Sequence, residues 1–134
     1  MYVWDSTMPG TIKIHTKSTG YVQAEVSTER NPETAEAILG VLPIRSRVNR
    51  WGDEIYFTIP LRVEEENPQQ EVEVGDLGYW PPGNAFCIFF GRTPASTGER
   101  PRAASPVNVF GRVLGDSTVF REARSGEEIR VEKV

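Results

Sequence analysis

The residues able to do chemistry in this chain are few, and they crowd around one turn. Tyr79-Trp80-Pro81-Pro82-Gly83 joins two aromatic rings to two prolines, and the apolar run Phe86–Phe90 follows directly. Proline fixes φ and removes a backbone donor, so this stretch does not belong inside a helix or a central strand. Phe86-Cys87-Ile88-Phe89-Phe90 is apolar at every position, as in a strand covered on both faces. A stiff turn that carries rings straight into the core is how a fixed surface pocket is built. The chemistry such a pocket offers is binding, with aromatic walls and a few placed donors. Tyr56, Tyr79, Trp80, Phe86 and Phe110 are the candidate walls, and Arg47 and Asn49 the candidate donors. Aromatics beside a Pro-Pro turn also pack as plain core, so both readings stay open for Tyr79, Trp80 and Phe86. The turn is expected to be rigid, with one of its X-Pro bonds cis and Gly83 free to take a positive φ.

Other chemistries lack their residues. His15 is the one histidine and Cys87 the one cysteine, so the usual transition-metal ligand sets cannot be assembled. His15 alternates with Ile12 and Ile14 and reads as an exposed strand residue, and Cys87 as a small buried hydrophobe. No Gly-x-Ser-x-Gly elbow and no phosphate loop occurs, and nothing calls for a cofactor. Arg92, Arg100, Arg102 and Arg112 make one basic stretch, but no stacking aromatics interleave with it. With a net charge of −4, the chain gives no reason to expect nucleic acid as a partner. No window approaches the ~20 apolar residues of a membrane span. The first residues lack the basic and apolar regions of a signal peptide, so a soluble, cytoplasmic protein is expected.

The elements that must position these residues are mostly short strands. Residues 1–10 show no period and read as a loose arm, which leaves 11–134 as one domain. Ile12 and Ile14 alternate with polar neighbours, Ser18-Thr19-Gly20 turns the chain, and Tyr21–Val26 returns. Asn31-Pro32-Glu33-Thr34 opens a helix over Pro32–Leu42, with Asn31 as its cap. Ala35, Ile38, Leu39 and Leu42 form its apolar stripe. A polar strand over Arg45–Trp51 and a Gly52-Asp53 turn lead into a half-buried strand carrying Ile55, Phe57, Ile59 and Leu61. The acidic run Glu64–Glu66 reads as a solvated connection, and residues 92–106 as a long loop. Val107–Val113 alternates again. A short helix is expected over Asp116–Arg124, and a closing strand over Glu128–Val134 places Ile129 and Val131 inward. Many short strands with one or two helices predict a mainly β, closed or nearly closed barrel with helices covering its ends.

Taken in order, these segments resemble the cyclophilin fold. Asn31–Leu39 resembles its first helix, and Asn108-Val109-Phe110-Gly111-Arg112-Val113 a late strand of the type His-Val-Val-Phe-Gly-Lys-Val. Val48–Phe57, Gly75–Ala85 and Ala104–Val109 are similar to the atypical, compact cyclophilin-like family of bacteria and archaea. Its Gly-Asp-x-Gly-Tyr-Trp-Pro-Pro-Gly string stands here as Gly75–Gly83, and the resemblance runs from Ile12 to Val131.

The resemblance implies an eight-stranded closed barrel and, by association, prolyl isomerisation. Ordinary cyclophilins hold a proline in an apolar pocket, where an arginine near the prolyl nitrogen lowers the ~18–20 kcal/mol rotation barrier. A glutamine, a tryptophan and a histidine position the peptide. Here Ala85 and Cys87 stand where that glutamine and the pocket phenylalanine would be, and no histidine follows the aromatic strand. Arg47 lies nearest the arginine's place without being in register, and is the one catalytic candidate.

The expectation is a domain that binds an extended, proline-containing peptide or a small ligand beside Trp80-Pro81-Pro82, with isomerase activity weak or absent. A divergent active isomerase is the first alternative. A structural or assembly subunit, whose aromatic surface contacts another protein, is the second. Oligomeric state is left open.

Overall fold

Alternating inward and outward residues decide most of the architecture. The computed structural model describes residues 10–134. Most of the expected arm therefore lies outside the described residues, while Gly10 already pairs with Val26. Strands β1 (Gly10–Thr16) and β2 (Gly20–Val26) form the expected hairpin, with Ile12 and Ile14 fully buried.

Helix α1 (Pro32–Val41) begins at its proline and buries Ala35 and Ile38, with Leu39 and Leu42 packed at the core margin. Its cap differs from expectation. The Asn31 amide donates to the Val109 carbonyl at 2.8 Å, and its oxygen accepts from Asn67 N–H at 2.7 Å. Glu66 caps the helix in its place, accepting from the N–H groups of Glu33 (3.1 Å) and Thr34 (3.0 Å) and from the Thr34 hydroxyl (2.9 Å). The free donors of a helix start need partners and favour a negative charge. Buried Asn108 completes the network, bonding Thr34, the Glu64 carbonyl and Glu66 N–H. At Glu66 the acidic run is part of the fold, not a solvated connection.

The remaining strands are β3 (Ile44–Arg47), β4 (Asn49–Arg50), β5 (Glu54–Thr58), β6 (Gln69–Glu71), β7 (Asp76–Trp80), β8 (Ala85–Phe89), β9 (Arg102–Val113) and β10 (Glu128–Lys133). They form an antiparallel sheet in the order β3-β10-β1-β2-β9-β7-β8-β5-β4, with β6 paired to β9 off this path. The fold is mainly β, but backbone hydrogen bonds do not close the sheet into the expected barrel. Its two edge strands, β3 and β4, are consecutive in the chain and separated only by buried Val48. Ser46 adds one side-chain bond across the gap, donating to the Thr58 carbonyl at 2.7 Å. The edges are thus held together by chain continuity rather than by a ladder.

Strand β8 is buried at all five positions and packs on both faces, as its composition requires. Phe86 and Ile88 point to the main core, where Phe86 stacks on Phe57 at 4.9 Å and meets Phe110 edge-on at 5.1 Å. Ala85, Cys87 and Phe89 point the other way, into a second cluster with Val72, Ala103, Val107 and Val109. That second cluster exists because β9 starts at Arg102 and crosses the outer face, where a loop to Pro106 was expected. The β6 pairing shifts register between Val107 and Arg102, and Pro106 is tolerated in that irregularity. The expected short helix is a 3₁₀ turn over Ser117–Glu122, and β10 buries Ile129 and Val131. Among the described residues, no helix is long and apolar enough to cross a membrane.

Candidate functional site

The β4–β5 hairpin sets the first wall. Trp51 and Glu54 exchange backbone hydrogen bonds (2.9 and 3.2 Å) around the two-residue Gly52-Asp53 turn, where Gly52 takes φ 61°. Residues that face each other across such a turn project to one side. Along β5 the period of two puts Tyr56 on the face of Glu54. In the ladder, Tyr56 lies opposite Cys87, and Gly78 lies opposite Cys87 on the other side. Gly78 keeps this face low, since a Cβ there would come within 3.0 Å of Val107.

Trp80 supplies the second wall from the end of β7. Its indole N–H donates to the Ser105 hydroxyl at 2.7 Å, which pins the ring to β9. The Tyr56 and Trp80 rings sit 6.3 Å apart and 69° from parallel, as two adjoining walls. With Trp51, Glu54, Ala103, Ala104 and Val107 they line a cleft of about 220 Å³.

The turn after Trp80 is a 3₁₀ turn over Pro81–Gly83, closed by Asn84 N–H on the Pro81 carbonyl at 3.1 Å. Neither of its X-Pro bonds is cis, against expectation; the cis bond among the described residues is Leu42–Pro43. The positive φ falls on Asn84 (47°), not on Gly83.

Of the expected site residues, the fold brings Tyr56 and Trp80 together. Tyr79, Phe86 and Phe110 are buried core residues and none of them lines this cleft, while Phe110 lines a larger groove elsewhere. The Tyr79 hydroxyl is satisfied internally, donating to the Leu61 carbonyl (2.7 Å) and bonding Asn84 Oδ1 (3.1 Å) and Val63 N–H (3.2 Å). Asn49 pairs with Tyr56 in the ladder and directs its amide to the Tyr56 carbonyl at 3.3 Å, outside the cleft lining. Arg47 is exposed and donates to the Gly126 carbonyl at 2.8 Å. No arginine lines the cleft.

Glu54 was not expected in the site. It is 5 % exposed, and burial pushes its carboxyl up to about 7, against a lowering contribution from the Cys87 thiol that bonds it. Burial likewise drives the Cys87 thiol well above its ordinary range, with the adjoining Glu54 charge adding to the effect. No cation pairs with Glu54 among the described residues. Arg50, on the same hairpin, instead bonds the Gly52 carbonyl (2.6 Å) and Asp53 (3.2 Å) and lies over the Phe90 ring. Glu54 adjoins the Gly52-Asp53 turn, and nothing in its sequence neighbourhood marks it as buried.

A larger groove of about 550 Å³ runs between β2, β9 and residues 73–76 and 115–118. Several of its charged side chains are already engaged within the fold. Arg112 pairs with Glu25 at 3.8 Å, Asp76 accepts from Glu73 N–H at 2.9 Å, and Asp116 from Thr118 N–H at 2.9 Å. The smaller cleft, with a buried carboxyl that no cation meets and two adjoining rings, is the stronger site.

The cyclophilin-like family profile matches residues 10–132, nearly the whole of the described fold. The chain belongs to the cyclophilin-like family. A member of the same fold, the hypothetical protein AF2241 from Archaeoglobus fulgidus, is 42% identical, with 96% of each chain covered and a TM-score of 0.78. A solved structure of McbB in complex with tryptophan resembles this cyclophilin-like chain at 23% identity and a TM-score of 0.70, covering 90% of this chain and 44% of that one. That likeness is one of fold alone. A search of curated proteins found no match.

Proposed function

We propose that this cyclophilin-like domain is a binding module that takes a small ligand, or one side chain of an extended peptide, into the cleft beside the Trp80-Pro81-Pro82 turn. The observation that carries the reading is the pair of adjoining rings, Tyr56 and Trp80, walling a cleft that is apolar apart from Glu54. Its size supports a compact occupant. About 220 Å³ falls short of the ~300–1,000 Å³ of drug-sized pockets, so one ring or one short side chain fits and a whole peptide does not. A proline ring of an X-Pro peptide is within that range.

Isomerisation is weak or absent in this reading. The isomerisation by ordinary cyclophilins relies on a cation beside the prolyl nitrogen, and Arg47 is engaged with Gly126 away from the cleft lining. The test is a protease-free isomerisation assay on an X-Pro peptide, run beside a tryptophan-fluorescence titration with the same peptide and with small apolar ligands. The reading expects a saturable fluorescence change that Trp80→Ala removes, and no rate enhancement. Rate enhancement lost in Arg47→Ala would favour the divergent isomerase. No saturable change with any ligand would remove the binding reading.

A further inference from the structure

The cleft has a chemical asymmetry that a purely apolar occupant leaves unused. Three aromatic side chains, Trp51, Tyr56 and Trp80, share it with a single carboxyl group, Glu54. Glu54 is buried, at 5 % exposed, and no cation neutralises its carboxyl among the described residues. The Cys87 thiol from β8 bonds that carboxyl, and Tyr56 of its own strand and the small apolar residues Ala103, Ala104 and Val107 of β9 line the cleft with it. Arg102, next to Ala103, turns its guanidinium to Gln70 at 3.2 Å. Arg50 is occupied by Asp53.

We propose that this cleft recognises an organic ammonium group, with the Glu54 carboxylate as counter-charge and the Trp51, Tyr56 and Trp80 rings as its walls. The inference rests on the binding reading of the same cleft and names the ligand class. A buried carboxylate is costly unless paired, and an entering cation supplies the missing partner. Aromatic faces attract the same cation through their quadrupoles, tryptophan most strongly, and more so when the site is dry. The volume admits a trimethylammonium head or the end of a lysine side chain. Both a free small amine and a peptide side chain present that chemistry.

Ionisation of Glu54 is coupled to occupancy. Below pH 7 the empty cleft holds the protonated acid, and a bound ammonium must first displace that proton. Affinity for the cation therefore rises with pH through about 7 and then levels. Affinity for a neutral molecule of the same shape does not.

The experiment is a tryptophan-fluorescence titration at pH 6 and pH 8 with choline and with its neutral isostere 3,3-dimethylbutan-1-ol. A parallel arm uses Nα-acetyl-trimethyllysine amide, and tighter binding of that compound than of choline assigns the cation to a peptide side chain. The proposal expects choline to bind at least tenfold more tightly than the isostere at pH 8. It also expects choline to weaken by about tenfold at pH 6, the fall in ionised Glu54 for a group that titrates near 7. Glu54→Gln should shrink the preference to what the rings alone supply and remove the pH dependence, and the wild-type pH dependence decides the matter if that variant does not fold. Equal, pH-independent binding of the two isosteres overturns the ammonium proposal and leaves the binding cleft standing. Binding of neither compound also overturns the ammonium proposal, and the binding reading then stands or falls on the peptide and apolar-ligand titration.

Discussion

Gly83 lies against the face of Trp80. A Cβ at position 83 would sit 2.8 Å from Cζ3 and 2.9 Å from Cε3 of the indole. The glycine is required by the ring rather than by the backbone, because the left-handed residue of the turn is Asn84. The ring cannot easily yield, since Ser105 holds its N–H from the other side.

Gly83→Ala should therefore displace Trp80 and distort the cleft. The expected outcome is a shifted tryptophan emission, at least tenfold weaker ligand binding, and a stability loss of about 1–3 kcal/mol from overpacking. A urea titration and a ligand titration on one sample check all three. Unchanged emission and affinity would mean that the turn does not set the ring.

Glu54 should make stability depend on pH in an unusual direction for a carboxyl group. Its value is raised from 4.5 to about 7 in the folded chain, so the folded state holds a proton that the unfolded state has released between those values. Stability is then greatest below about pH 4.5, as far as this group is concerned, and is lost as pH rises through 7. At 1.36 kcal/mol for each unit, the ceiling is roughly 3 kcal/mol. Burial raises Asp76 in the same direction, so wild type alone does not isolate Glu54. Glu54→Gln does, and it should be more stable than wild type at pH 8 and close to it at pH 5. Parallel denaturation curves for the two proteins across that range would contradict the assignment.

The helix cap supplied by Glu66 gives a second stability test. Glu66→Ala leaves the N–H groups of Glu33 and Thr34 without their acceptor and should cost about 1–2 kcal/mol. Asn31→Ala, in contrast, should act through the buried link between the Val109 carbonyl and Asn67. Its loss should be at least as large, because both partners are left unsatisfied. Chemical denaturation of the two variants distinguishes a surface acid from a cap.

Tyr79→Phe separates the core reading of that residue from the pocket reading. The hydroxyl holds the Leu61 carbonyl, Val63 N–H and Asn84 inside the fold. Its removal should lower stability by about 1–3 kcal/mol and leave ligand affinity unchanged. Loss of affinity without loss of stability would return Tyr79 to the site.

The strands that alternate cleanly were legible in the sequence, because a period of two with one face buried leaves little choice. Ile12 and Ile14, Ile55 and Phe57, and Ile129 and Val131 all point inward as their spacing demands. The helix was legible from Pro32 and the Ala35–Ile38 stripe. What the sequence concealed are contacts set by distant segments. Arg102–Pro106 carries the composition of a loop, yet it crosses the outer face of β8 and creates the second cluster. That crossing also lines the cleft with Glu54, which is buried although its own neighbours, Gly52 and Asp53, read as an exposed turn. The same limit placed Asn31 at the cap, where Glu66, 35 residues later in the chain, does the work. Of the site, Trp80 was legible because proline stiffens its neighbourhood. Trp51 and Glu54 become a pair only once the hairpin is formed.

The central claim is that ligands enter the cleft walled by Trp51, Tyr56 and Trp80. The most direct measurement maps where small molecules bind, by titrating ¹⁵N-labelled protein with a set of aromatic, aliphatic and amine fragments and following the backbone and indole N–H signals. The account predicts that shifts concentrate on the Trp51 and Trp80 indoles and on the amides of Glu54, Tyr56, Ala103, Ala104 and Val107. Shifts gathered instead around Gly75, Arg112 and Ser117, in the larger polar groove, would contradict it.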